Sequence, residues 1–334
     1  GEKGLLNVLE QLLASLQLRV LLLEELHEVA KVFHLLLCLT SLLSVLTMKP
    51  TRRVRRRKQT RRKRRGGKKL GEGMYGFVVD PAIPCEGKDT SGYVSKVLNP
   101  KESKYDTPES FLTKTKSNPV FAKLKEIDPE QNEFIYAEFC ENVGEPSEEN
   151  KADGVTNDNK KYSYLLKRGG MSLEREFKEE SSKYIPQIVA TSVELEKAIK
   201  LMPQAHQEYM NVGVDHLKPL IQKIVAYLKP IVTRVLELRD KLYANGISQG
   251  DLHPGNVLRM GDGTLRIIDF DGTQMFDPKN PNRHIADFKD EDGVMFIEGA
   301  AWLIVTKNER DTADLGLSIL QGKVVQKVVD MLQA

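Results

Sequence analysis

The sequence predicts an α+β chain of two lobes, a small antiparallel β lobe over residues 70–168 and a mainly helical lobe over 169–334. A helical extension, 1–47, and a disordered polybasic arm, 48–69, precede them. Three observations carry this. Short β-favouring runs punctuated by Gly and Pro fill the first lobe, and long apolar runs at helical spacing fill the second. Two short strands, 257–258 and 265–268, joined by Gly261-Asp262-Gly263, interrupt the helical part. Charge is also divided: residues 49–69 hold fourteen of the 50 Lys and Arg and no acid, so a net charge of +3 conceals −11 on the rest of the chain.

A chain of 334 residues can bury a substantial core, and 40% hydrophobic with 29% charged residues suits a soluble protein. The three cysteines, Cys38, Cys85 and Cys140, lie far apart without zinc-site spacing. Free thiols in a reducing compartment are therefore expected, which excludes a disulfide scaffold though not a single bridge.

In the extension, Leu5, Leu9, Leu12, Leu13 and Leu16 recur at helical spacing. Residues 32–48 carry no formal charge and are followed at once by the basic arm, so they read either as part of a helical hairpin or as a membrane contact with a cytoplasmic flank. A third reading takes 1–47 as an upstream extension without a role, because Met48 opens a segment of different composition. The arm itself cannot form a packed core, since like charges repel. Nuclear targeting, nucleic-acid contact and contact with anionic lipid all use its electrostatics. It has no interleaved aromatics to stack on bases.

The body opens with Gly71-Glu72-Gly73-Met74-Tyr75-Gly76-Phe77-Val78. A dinucleotide site would continue into a helix, but Phe77, Val78 and Val79 continue as a strand, and Pro81 and Pro84 follow. Residues 93–98 read as a strand carrying Lys96. Glu109 lies in a helix begun by Pro108, and Glu126 lies near the end of the run after Pro119. Residues 133–140 and 162–166 read as strands around a polar insertion, 141–161, and the second strand runs into Gly169-Gly170. Residues 173–244 read as mostly helical with a loop over 203–214. Residues 293–305 read as a buried helix, and 311–334 as closing helices.

The chemistry concentrates in Gln249-Gly250-Asp251-Leu252-His253-Pro254-Gly255-Asn256 and Ile268-Asp269-Phe270-Asp271. Phosphoryl transfer needs a carboxylate to take a hydroxyl proton, oxygen ligands for Mg²⁺ and cations on the phosphates. Asp251, Asn256 and Asp269 supply the first two types. This order resembles the protein-kinase-like superfamily: glycine loop, strand lysine, hinge, H-R-D-x-x-x-x-N and D-F-G. Details such as Ile83-Pro84-Cys85, Ile127-Asp128-Pro129 and Gly169-Gly170 resemble the serine/threonine-kinase-like proteins of giant DNA viruses.

The resemblance implies ATP and Mg²⁺ as cofactors and the bilobal kinase fold. Asp251 would be the base, Asn256 and Asp269 the metal ligands, and Lys96 the grip on the α/β phosphates, with Glu109 its candidate carboxylate partner and Glu126 the competitor. Gly71, Gly73, Tyr75, Gly76 and Val78 would cover the phosphates, with Leu166 and Leu258 around adenine. The implied reaction is transfer of the γ-phosphoryl group to a protein Ser or Thr in a host cytoplasm or virion. Gln249 and Gly250 in place of His-Arg, His253, and Asp271 in place of the glycine depart from protein kinases. They are similar instead to aminoglycoside and choline phosphotransferases and ABC1-type kinases, which makes a small hydroxyl compound the alternative acceptor. A nucleotide-binding pseudokinase scaffold is the reading of a different class.

Overall fold

The computed structural model describes residues 68–73, 76–99, 107–201, 206–279, 283–306 and 315–334, which adopt an α+β fold. The helical extension, most of the basic arm, the apolar run 32–48, Cys38 and Tyr75 lie outside the described residues.

Strands β1 (Lys68–Gly73), β2 (Gly76–Asp80), β3 (Tyr93–Leu98) and β4 (Ser163–Lys167) form one antiparallel sheet in that order. Successive side chains point to opposite faces. On one face Val79 and Val97 pack with Ile83, Val155 and Phe77. On the other, the register sets Val78, Lys96 and Tyr164 side by side across β2, β3 and β4. A one-residue slip of β3 would turn Lys96 to the face opposite Val78 and Tyr164. Gly76 is required where β2 meets β3, because a Cβ there would lie 2.2 Å from the Val97 carbonyl oxygen.

Helices α1 (Pro108–Lys116) and α2 (Pro119–Ile127) each begin with proline behind a side-chain cap. Thr107 accepts from the Ser110 amide and Asn118 from the Val120 amide. A short helix α3 (Glu148–Ala152), closed by a capping box between Ser147 and Asn150, lies inside the polar insertion.

Beyond β4 come β5 (Met171–Ser172), α4 (Leu173–Glu180), α5 (Ile185–Leu201), α6 (His206–His216) and α7 (Lys218–Ala244). They are followed by β6 (Ile247–Ser248), β7 (Val257–Arg259), β8 (Leu265–Ile267), β9 (Gln274–Met275), α8 (Arg283–Val305) and α9 (Leu315–Gln333). β5, β7 and β8 form a three-stranded sheet, and β6 pairs with β9. The long α7 buries Leu220, Ile224, Leu228, Val235 and Leu242, a stripe at helical spacing, and packs against α8 and α9. Pro219 sits harmlessly in its first turn, and Pro230 is accommodated inside the helix.

Three expectations are corrected. Residues 133–140 form no continuous strand: the backbone pairs with β8 at Phe134 and Ile135 and with β4 at Glu138, so the segment changes partner midway. Residues 206–216 are helical rather than a loop, because Met210, Gly213 and Leu217 share a face; a Cβ at Gly213 would lie 2.4 Å from Leu195 of α5. Cys85 and Cys140 are joined in a disulfide with Cα atoms 5.7 Å apart. Pairing of Glu86 with Asn142 and of Cys85 with Val143 brings the two segments together across 55 residues of sequence. Among the described residues no helix is long and apolar enough to cross a membrane.

Candidate functional site

The loop after β6 is held from three directions. Gln249, buried, accepts from the Asp251 amide through Oε1 at 2.7 Å and donates through Nε2 to the Asp269 carbonyl at 3.2 Å. It therefore couples the two acid-bearing loops. Asn256 donates from Nδ2 to the Asp251 carbonyl at 2.9 Å and to Asp251 Oδ2 at 3.3 Å. The Ile268 amide in turn donates to the Asn256 carbonyl at 2.9 Å, which sets Asn256 beside the end of β8, where Asp269 follows.

Behind the loop lies Asp292 of α8, 1% exposed. It accepts from the amides of Gly250 (3.2 Å) and Leu252 (3.3 Å) and from the Tyr243 hydroxyl (3.2 Å). Burial pushes its carboxyl above the ordinary aspartate range, against those three donors, which favour the ionised form. The left-handed backbone at Gly250, φ +75°, turns the chain between the two amides. The result is an Asp251 side chain 67% exposed on a fixed backbone. His253 accepts from the Gly255 amide at Nδ1 (3.1 Å), which leaves the proton of the neutral ring on Nε2, 3.8 Å from Asp251 Oδ2.

Lys96 supplies the cation. Its Nζ donates to Asp269 Oδ1 at 2.7 Å and to Asp271 Oδ2 at 2.8 Å. The Tyr164 hydroxyl donates to the same Asp271 carboxylate, at 2.7 and 3.0 Å. Burial opposes the lysine charge, but the Asp271 and Asp269 carboxylates outweigh it and hold Lys96 above the ordinary lysine range. Asp269 sits at φ +63°, a left-handed position that a non-glycine residue adopts at a cost of about 1 kcal/mol or more. The Gln249 bond to its carbonyl and the burial of Phe270 edge-on against Phe134 hold it there.

The structure brings Val78, Lys96, Leu166 and Asp269 together around a cavity of about 100 Å³, with Tyr164, Phe270 and Asp271. Asp251 and Asn256 join this group through Gln249 and Ile268. Gly71, Gly73 and Gly76 lie on the β1–β2 hairpin, whose turn is not described. Leu258 is not among the side chains lining this cavity: it lies opposite Ser172 and Arg266, and a Cβ on Gly169 would come 2.1 Å from its Cδ1.

Glu109 does not join the site. Phe111 and Thr115 are the inward residues of α1, and Phe111 rests on the rings of Tyr162 and Tyr164 at 5.9 and 6.5 Å. Two residues earlier on a helix is about 200° away, so Glu109 is exposed. Glu126 is likewise turned outward and pairs with Lys123. Among the described residues, the carboxylates on Lys96 are Asp269 and Asp271.

Asp292 and Tyr164 have no part in the sequence reading, and Asp271 and Gln249 enter it only as departures from a pattern. One signal was available for Asp292: it shares a helical phase with Phe296 and Ala300, both buried. An acid on an apolar face needs partners.

Asp251, Asp269 and Asp271 outnumber the single Lys96, so a polyanion would meet net negative charge here unless cations accompany it. Among the described residues there is no group of three or more His, Cys, Asp or Glu that could hold a metal. An Asn–Asp pair instead suits a hard cation that takes its remaining oxygens from phosphate and water. A larger cavity, about 1030 Å³, lies between α7, the β7–β8 turn and residues 128–133. Its cations are already paired, Arg234 and Lys241 with Glu133 and Arg259 with Glu176, and it holds none of the acids or the lysine discussed above. The chemistry, not the volume, therefore selects the smaller site. No family model matches the chain, and no curated protein matches it.

Proposed function

We propose that this chain is an ATP–Mg²⁺-dependent phosphotransferase with the bilobal kinase-like fold, the four-stranded sheet with α1 and α2 being its small lobe. The observation that supports this most is one linked group. Lys96, beside the glycine hairpin, is bonded to Asp269, and the Asp269 loop is tied by Gln249 to Asp251. In this reading Lys96 grips the α/β phosphates and the hairpin amides cover them. Asn256 and Asp269 hold Mg²⁺, which when bound neutralises charge on the transferred group. Asp251, exposed and fixed by its backbone, takes the proton from the acceptor hydroxyl. Small-molecule sites run from about 300 Å³ upward. Nucleotide binding therefore widens the cavity between the sheet and the 269–271 loop and exchanges the Lys96–Asp269 bond for phosphate and metal contacts.

A protein Ser or Thr is the acceptor implied by the family resemblance. A small hydroxyl compound is favoured by a separate observation: the segment between Asp271 and α8 is short and part of it is committed to pairing β9 with β6. That leaves little surface on which to lay a protein substrate.

The deciding experiment incubates the full chain, and Asp251→Ala, with ATP-Mg²⁺ and either a mixed protein substrate or a panel of aminoglycosides, choline and sugars. Transfer that is lost in Asp251→Ala establishes the activity, and the arm in which it occurs names the acceptor class. If wild type is silent on every acceptor while ATP still raises the melting temperature, the chain is a nucleotide-binding scaffold and the catalytic reading fails.

A further inference from the structure

We propose that Asp271, fixed by the Tyr164 hydroxyl, is the positioning carboxylate of Lys96. The lysine would then be oriented by the same loop that carries Asp269 rather than by a helix. This rests on the phosphotransferase reading and deepens it.

The geometry distinguishes the two acids on Lys96. Asp269 reaches the lysine through Oδ1 alone, and its place at the end of β8 beside Asn256 makes it the one that a metal would claim. Asp271 has a second anchor. Tyr164 donates to both of its oxygens, and Asp271 Oδ2 accepts from Tyr164 and Lys96 together. Tyr164 is itself immobilised: it is 3% exposed, directly opposite Lys96 in the β3–β4 register, and packed against Phe111 and Phe139. Lys96 and the hydroxyl that holds its partner thus rise from adjacent positions of one rigid sheet. When Asp269 turns to a cation, Asp271 remains to aim the ammonium at the phosphates. Helix α1 cannot take that part, because its inward position is Phe111 and its acid faces solvent.

The test measures Mg-ATP binding by titration calorimetry on the full chain, so that it does not depend on turnover. Asp271→Asn is expected to weaken binding about ten-fold, the effect of losing a charge-assisted hydrogen bond. Tyr164→Phe should act in the same direction by about three-fold, since it loosens the carboxylate without removing it. In a Lys96→Met background, Asp271→Asn should add less than about two-fold, because its effect passes through the lysine. Melting temperatures check that each variant is folded, and Asp271, being exposed, can be changed without disturbing the core. Binding by Asp271→Asn within about two-fold of wild type overturns the proposal. So does a ten-fold effect that persists undiminished without Lys96, which would assign Asp271 to the metal or to the fold. Failure of wild type itself to bind Mg-ATP would be a different result: it removes the phosphotransferase reading, whatever Asp271 does.

Discussion

Asp292→Ala tests whether the Asp251 loop is held from behind. The substitution removes the acceptor for three donors, the Gly250 and Leu252 amides and the Tyr243 hydroxyl, all at 3.2–3.3 Å in a residue 1% exposed. Hydrogen bonds to a charged group contribute about 1.5–3 kcal/mol each, and these long ones belong at the lower end, for a gross loss of about 4.5 kcal/mol. Against this, the mutant no longer buries a carboxylate, and the upward shift of its pKa shows that this burial is costly. The net destabilisation is then about 3 kcal/mol. Asp292→Asn keeps one acceptor but turns an amide N–H toward a donor, so it should lie between, at about 2 kcal/mol. Tyr243→Phe removes one of the three donors and its contact with Ser248, for about 1 kcal/mol. Urea unfolding can follow the fluorescence of Trp302, the one tryptophan, which lies on the same helix as Asp292. Any phosphoryl transfer should fall about 100-fold in Asp292→Ala, as expected for a base displaced by about 1 Å. A destabilisation below about 1 kcal/mol would mean that Asp292 does not hold the loop.

Three further outcomes follow from the same structure. Gly170→Ala should cost about 3 kcal/mol, because its Cβ would meet the Arg259 carbonyl oxygen at 1.7 Å and backbone must move. Gly169→Ala meets only the tip of Leu258 and should cost about 1 kcal/mol; equal unfolding midpoints for the two would contradict this. For Glu133, burial raises the carboxyl pKa, but the bonds to Lys241 and Arg234 prevail and hold it below the ordinary value of 4.5. Its contribution is therefore present above pH 4.5 and lost as pH falls through the lower folded value. Wild type should exceed Glu133→Gln by about 1 kcal/mol at neutral pH, with the gap closing on acidification. A gap that stays constant across that range in pH-dependent unfolding would rule out the pairing. Finally, thiol titration under denaturing, non-reducing conditions should find one reactive cysteine of three. Replacing Cys85 and Cys140 by Ser should destabilise by up to about 4 kcal/mol, the loop-closure limit for a 55-residue separation.

Much of the local structure is written into short stretches of sequence. Period-2 runs, prolines at helix starts and the Gly261-Asp262-Gly263 turn mark β2, β3, β4, β7, β8, α1 and α2 to within a residue or two, because these signals act between near neighbours. The acids and amide around Asp251 and Asp269 are legible for the same reason, being two compact clusters joined by a short hairpin. Residues 133–140 mislead because apolar alternation announces an extended chain without saying whether one partner or two will receive it.

What lay beyond the sequence depends on contacts between distant segments. Cys85 meets Cys140 only after two loops pair. Lys96 takes Asp271, 175 residues away, because the sheet register brings Tyr164 beside the lysine while α1 turns Phe111 inward and Glu109 out. Asp292 reaches the Asp251 loop because α8 packs behind it. Local sequence signals set the order of the elements and the chemical types gathered in two loops. Which carboxylate each cation meets follows from the packing, since that choice depends on helix phase and strand register between parts of the chain that share no local signal.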